Sequence, residues 1–141
     1  MSFLLDTVVV SECVKPAPEP RVVEWLASID EDRVFLSVAT IAEIRHGIET
    51  MPIGRRRARL LAWFDGDLSL RFEGRILDID RGICAAWGVV MARATAVGKS
   101  LATMDAFFAA TAEVHGLTLV TRDIRDFQGA GIALFDPWGA P

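Results

Sequence analysis

Long apolar runs are missing from this sequence. Although 52% of its residues are hydrophobic, nothing approaches the roughly 18–20 consecutive residues that span a bilayer. The opening Met1-Ser2-Phe3-Leu4-Leu5-Asp6 has no basic stretch and reaches a carboxylate almost at once, so no secretory signal is expected. Cysteine is scarce: Cys13 and Cys84 have no metal-ligand spacing and need not pair, which suits a reducing cytosol, and a cytoplasmic location is expected. His46 and His115 are not spaced for zinc. There is no Walker loop, no G-x-G-x-x-G fingerprint and no nucleophile elbow around a Ser or Cys. Repeats, low-complexity tracts and linkers are absent too. Lysine is nearly so, because the basic residues are mostly arginine, and the net charge of −4 excludes a fold that grips nucleic acid by charge alone.

What remains is a chain of 141 residues, enough for one domain over 1–141 and one real core. Short apolar runs alternate with helical patterns. Phe3–Leu5 with Val8–Val10 reads as the first strand, and the prolines at 16, 18 and 20 force a loop. Val22, Trp25 and Leu26 give Arg21–Ser28 a helical stripe. Val34–Leu36 is a buried strand, after which Ser37 caps a helix striped by Ile41, Ile44 and Ile48. A helix from Arg55 to about Leu68 follows Pro52 and Gly54. Ile76–Ile79 is a strand, and Asp80 caps a helix ending near Gly98. Thr103 caps another that stops at Gly116. Thr118–Thr121 and Ile132–Phe135 are strands. Strict alternation predicts an α/β fold with a central, mostly parallel sheet of about five strands flanked by helices.

In such sheets ligands bind beyond the carboxyl ends of the strands, where strand order reverses. Asp6 and Asp123 stand at two such ends. Each alone is explained as a turn former or cap; two at equivalent places are less easily so. Asp105 falls in the first turn of its helix, where the dipole favours a negative charge, and that helix start lies at the same edge of the sheet. Glu43 sits inside a helix, off the isoleucine stripe, with Gly47 one turn on. A mid-helix glycine costs about 1 kcal/mol relative to alanine, so either a strand passes closely or the carboxylate needs room for a cation. Four converging carboxylates without a basic partner raise one another's pKa. A hard divalent cation relieves that, and water beside it could attack a phosphodiester. The cluster Arg55, Arg56, Arg57 and Arg59 is either a solvated helix start or a patch for phosphate or an acidic partner.

Asp6-Thr7 closing the first strand, Ala42-Glu43-Ile44-Arg45-His46-Gly47, Asp105-Ala106-Phe107-Phe108-Ala109-Ala110-Thr111-Ala112, and Thr121-Arg122-Asp123 before Asp126-Phe127 resemble the PIN-domain family. Within it the chain is similar to the VapC-type toxins of type II toxin–antitoxin systems, in the FitB-like branch. Arg21-Val22-Val23-Glu24-Trp25-Leu26 and Phe135-Asp136-Pro137-Trp138 fit that branch as well. The resemblance implies a metal-dependent endoribonuclease in which Asp6, Glu43, Asp105 and Asp123 hold Mg2+ or Mn2+. Asp6 and Asp105 match the direct ligands, while Glu43 and Asp123 match ligands acting partly through water. It gives Thr7 and Thr121 as pocket hydroxyls toward substrate, a homodimer, and an antitoxin that inhibits the toxin and binds DNA. Where the family commonly reads Asp-Thr-Asn or Asp-Thr-Ser, this chain has Asp6-Thr7-Val8, which implies weakened activity if that polar side chain orders the site.

Two other Asp-first classes fit less well: a haloacid-dehalogenase phosphatase needs a second Asp where Val8 stands, and a receiver domain needs a late lysine. The rival of a different class is a PIN fold that binds protein partners and no longer cleaves. From the residues themselves, Arg122 beside Asp123 is either a phosphate contact or an exposed loop residue. So apolar a chain, with Trp25, Trp63, Trp87 and Trp138, should also leave apolar surface for a second copy and a groove between its early helices for an antitoxin helix.

Overall fold

The computed structural model describes residues 1–139; the last two positions of the expected 1–141 span, Ala140 and Pro141, lie outside the described residues. At its centre is β1 (Phe3–Leu5), three buried residues. Around it β2 (Val34–Ser37), β3 (Ile76–Leu77), β4 (Thr118–Val120) and β5 (Leu134–Phe135) complete a sheet in the order β3-β2-β1-β4-β5. All four pairings are parallel. Parallel neighbours need crossover connections, and these place helices on both faces.

Consecutive strand residues point to opposite faces, and β1 divides its side chains accordingly. Phe3 and Leu5 join one core with Val9, Val22 and Ile44; Leu4 joins the other with Ile83, Val90 and Phe108. The first is covered by α1 (Thr7–Cys13), α2 (Pro20–Ser28), α3 (Val38–Glu49) and α4 (Arg55–Trp63). α4 runs on through a π-helical turn, Phe64–Leu68, into α5 (Ser69–Arg71). The second is covered by α6 (Arg81–Ala96) and α7 (Thr103–His115).

The expected caps are met at three places. Ser37 accepts from the Ala39 N–H at 3.0 Å, Asp80 accepts from Ile83 at 2.9 Å, and Gly116 ends α7 with φ +64, the left-handed region. Three expectations need correction. Val8–Val10 is helix: Asp6 becomes the N-cap of α1 and accepts from the Thr7 N–H at 2.8 Å. Turning there buries Val9 and Val10 in the first core, which outweighs the strand preference of a β-branched triplet. Thr103 is the first helical residue of α7 after an extended Ala102, with no side-chain cap bond. The third and fifth strands are only two residues each. The long helix α6 ends at Ala96, near Gly98 as expected.

No helix among the described residues is long and apolar enough to cross a membrane, and Cys13 and Cys84 are free thiols. Apolar side chains do reach the surface, including Ile53, Leu70, Val89, Val97 and Val114. Between α1, α2 and the π-helical turn lies a cleft of about 580 Å3 walled by Val10, Cys13, Leu26, Trp63, Leu68 and Phe72.

Candidate functional site

Strand order reverses at β1: the chain moves outward through β2 and β3, then crosses back to lay β4 on the other side of β1. The crevice past the carboxyl ends of β1 and β4 is therefore where a ligand site is expected. Register then places individual side chains. Leu5 pairs with Val120, so the next residues, Asp6 and Thr121, leave the sheet side by side. The Asp6 N–H donates to the Val120 carbonyl at 2.9 Å, and the Thr121 hydroxyl donates to Asp6 Oδ2 at 2.7 Å. Asp6 is 9% exposed and Thr121 fully buried.

Each of the other acids arrives from a different element. Glu43, on the exposed side of α3, accepts a 2.6 Å hydrogen bond from Thr7 Oγ1, which ties α3 to the start of α1. Asp105 sits half-buried in the first turn of α7. Asp123 follows β4, its N–H donating to Thr121 Oγ1 at 3.0 Å. The four acids lie close enough to repel one another. Burial, opposed by the hydrogen bonds from Thr121 and Thr7, raises the pKa of Asp6, with Glu43 and Asp123 adding repulsion. The Asp105 carboxyl is pushed up to about 6, first by burial, then by the negative charges of Asp6, Asp126, Glu43 and Asp123. Among the described residues no Lys or Arg forms an ion pair with any of these acids.

Asp126 is a fifth carboxylate that the sequence reading quoted only within its Asp-Phe pair. A 3-10 turn, Ile124–Phe127, carries it back toward Asp105; the Asp-x-x-Asp spacing after a strand was its one visible signal. Thr40 was missed as well. It lies one turn before Glu43, and its buried hydroxyl is 3.0 Å from Thr7 Oγ1. The hydroxyls of Thr7 and Thr121 are both engaged at the acids. Thr121 is committed to Asp6 and Asp123, and Thr7 to Glu43 and Thr40, so they orient carboxylates. Arg122 lies with its guanidinium 5.5 Å from the centre of the Trp138 ring. Val8 is half-buried against the first core.

The donor chemistry fits a hard divalent cation, since it is all oxygen, negative and without a basic partner. Its spacing is open: among the described residues, no three His, Cys, Asp or Glu side chains stand ready-placed to hold a metal ion. Mg2+ does not require them to. It keeps several waters and is commonly held by one or two carboxylates plus substrate phosphate.

Two results are expected from this geometry. Thr121→Val deprives a buried carboxylate of its donor and the Asp123 N–H of its acceptor. It should cost about 1–3 kcal/mol of stability, measurable in urea, with Thr121→Ser restoring most of it. The second concerns pH. Asp105 has a folded pKa near 6 against an unfolded value near 3.9. Its favourable contribution is full below the unfolded value and is lost as pH rises through 6. Metal-free protein should therefore melt lower at pH 7 than at pH 5, and Asp105→Asn should flatten that difference. An equal drop in the variant would mean that Asp105 does not cause it.

A five-stranded parallel sheet with acids at its central switch point is consistent with the PIN class, and residues 3–131 match the PIN domain. The chain belongs to that family. It is 39% identical over 136 residues to toxin FitB of Neisseria gonorrhoeae, covering 96% of this chain and 98% of that protein. It is 35% identical over 136 residues to the VapC ribonuclease Y4jK of Sinorhizobium fredii, covering 96% and 97%. In three dimensions it is similar to the solved structure of FitAB bound to an IR36 DNA fragment. There the TM-score is 0.94 at 37% identity, covering 99% of this chain and 97% of that one.

Proposed function

We propose that this protein is a metal-dependent endoribonuclease acting in the cytoplasm as the toxin of a type II toxin–antitoxin pair. The observation that carries this reading is the crevice itself: four carboxylates from four elements, none paired with a cation, in a chain this similar to a FitB toxin and a VapC ribonuclease. Asp6 and Asp105 would hold Mg2+ or Mn2+ directly, Glu43 and Asp123 in part through water. When bound, the cation supplies Lewis-acid activation of water and offsets the charge that grows on the phosphate.

The chain's own residues prepare that event. Thr121 and the Thr7 N–H fix both oxygens of Asp6, so its carboxylate pays little reorientation when a cation arrives. Thr7 holds Glu43 facing the crevice. Arg122, steadied on Trp138, can swing to a phosphate oxygen at the mouth. With few other cations, the site suits single-stranded or looped RNA, whose splayed bases can enter a crevice that a duplex cannot.

The exposed apolar side chains support a homodimer. The cleft between α1, α2 and the π-helical turn supports docking of an apolar antitoxin helix, in an assembly that would bind operator DNA; the related FitAB complex was solved bound to a DNA fragment. An antitoxin arginine or lysine inserted among the four acids would replace the cation, so inhibition should weaken as Mg2+ rises.

The test is incubation of the purified protein with labelled transfer RNA, an RNA hairpin and duplex DNA, each with Mg2+, Mn2+ or chelator. Metal-dependent cutting of RNA is expected. Preference for duplex DNA overturns the substrate; no cutting and no metal binding overturn the enzyme and leave a protein-binding PIN fold.

A further inference from the structure

A second, smaller cleft of about 270 Å3 opens beside the acids, between α1, α3 and α4. We propose that it is a nucleotide subsite, taking the base and phosphate of single-stranded RNA next to the bond being cut. This inference rests on the nuclease reading above.

Continuity comes first. Thr7 and Glu43 form one end of the cleft and also belong to the crevice, so a strand whose phosphate lies among the acids has its neighbouring residue here. The walls are those a base needs. Ile44 and Ile48 are buried at the floor and Leu60 and Trp63 flank it, giving an apolar, partly aromatic surface on which any base can rest. At about 270 Å3 the space falls just below the usual range of roughly 300–1,000 Å3 for small-molecule pockets. That is room for one flat ring system and not for a helix of a protein partner.

Charge selects the occupant. In a protein of net charge −4, the cleft is bordered by Lys15 and Arg56. Lys15 is paired with Glu12 at 2.9 Å but stays half exposed, with donors to spare. The arginine cluster on α4 divides by role. Arg57 is bound to Glu49 and to the Ile48 carbonyl, joining α4 to the end of α3. Arg56 forms no ion pair among the described residues and faces the cleft. Two cations on either side of an apolar floor complement a base with its phosphate.

Gly47 supplies the last observation. Gly47 lies in the last turn of α3, two residues before its end at Glu49, and neither packing nor backbone asks for glycine there. A Cβ at Gly47 would meet nothing within 4 Å, and its φ is not positive. Of the two readings of Gly47, a closely passing strand is therefore excluded. Gly47 borders the cleft, so what its missing side chain preserves is open space beside Glu43.

The experiment uses the full-length protein and a short labelled single-stranded RNA spanning a bond that it cuts, together with a series in which each nucleotide flanking that bond is made abasic. Gly47→Met, with a good helix former at an exposed position, should fold at least as stably as the wild type and fill the cleft. Its kcat/KM should fall by about ten-fold or more, the scale of one lost base-stacking contact. One abasic position should slow the wild type to a similar degree and leave Gly47→Met no slower than it already is. Arg56→Ala should weaken RNA binding by fluorescence anisotropy while keeping the base sensitivity. If the wild type cuts and Gly47→Met cuts equally well, or the abasic series affects both alike, the subsite is overturned and the nuclease stands. Loss of a protein partner by Gly47→Met with normal cleavage overturns it in favour of a protein interface. A wild type that neither cuts nor binds RNA overturns both readings.

Discussion

Asp105→Asn and Asp6→Asn should each reduce RNA cleavage by at least about a hundredfold, equivalent to roughly 3 kcal/mol of transition-state stabilisation, with the fold intact. The reason lies in what each carboxylate costs the metal-free protein. Asp105 is raised to about 6 by burial and by four neighbouring acids, so neutralising it removes a repulsion and leaves no partner stranded. Asparagine at position 6 keeps the oxygen that accepts from Thr7, and the Thr121 hydroxyl can turn to accept from the new amide. Metal-free stability should be unchanged or slightly higher, while stabilisation by added Mg2+ or Mn2+ should shrink. Circular dichroism melts with and without metal, alongside the cleavage assay, separate the outcomes. Variants that lose several kcal/mol and still cut RNA would make the acids structural.

Phe108→Ala should be the most damaging single change to the scaffold. Phe108 is 1% exposed in the core between α7 and the sheet, packed with Leu4, Ile83 and Leu119. Removing a buried phenyl ring typically costs about 3–5 kcal/mol, a large share of the roughly 5–15 kcal/mol that holds a domain together. The melting temperature should drop by about 10 °C or more, and Phe108→Leu should recover much of that. Because Phe108 lies one turn beyond Asp105, the same substitution should also lower activity at temperatures where the protein is still folded. A loss below about 1 kcal/mol would mean that α7 is not seated on the sheet as described.

The site was legible in the sequence where chemistry and periodicity coincide. Asp6 and Asp123 stand out because they follow apolar strands, and Asp105 because a lone charge opens an otherwise apolar helix. Glu43 could be placed on α3 from the isoleucine stripe it avoids. What stayed hidden depends on contacts between distant segments. Val8–Val10 has strong strand propensity, and only the core waiting on one side of β1 makes it helical. Thr40 gains its role from Thr7, thirty-three residues away. Asp126 joins the acids through a short 3-10 turn whose direction no local pattern sets. Thr121 could be placed beside the pocket, but its hydrogen bond to Asp6 follows from the β1–β4 register alone.

That bond spans 115 residues of chain, and this has a consequence during synthesis. A ribosome adding about 5–20 residues per second needs roughly 6 to 23 s to pass from Asp6 to Thr121. Throughout that interval β4 has not been made, so the central strand has at most one of its two neighbours and Asp6 lacks the hydroxyl that orients it. The four carboxylates thus cannot come together until nearly all of the chain has been made. Parallel pairing over so long a loop also forms slowly. A cell that translates this message therefore has a delay, written into strand order, in which an antitoxin made alongside can meet the chain before its crevice is complete.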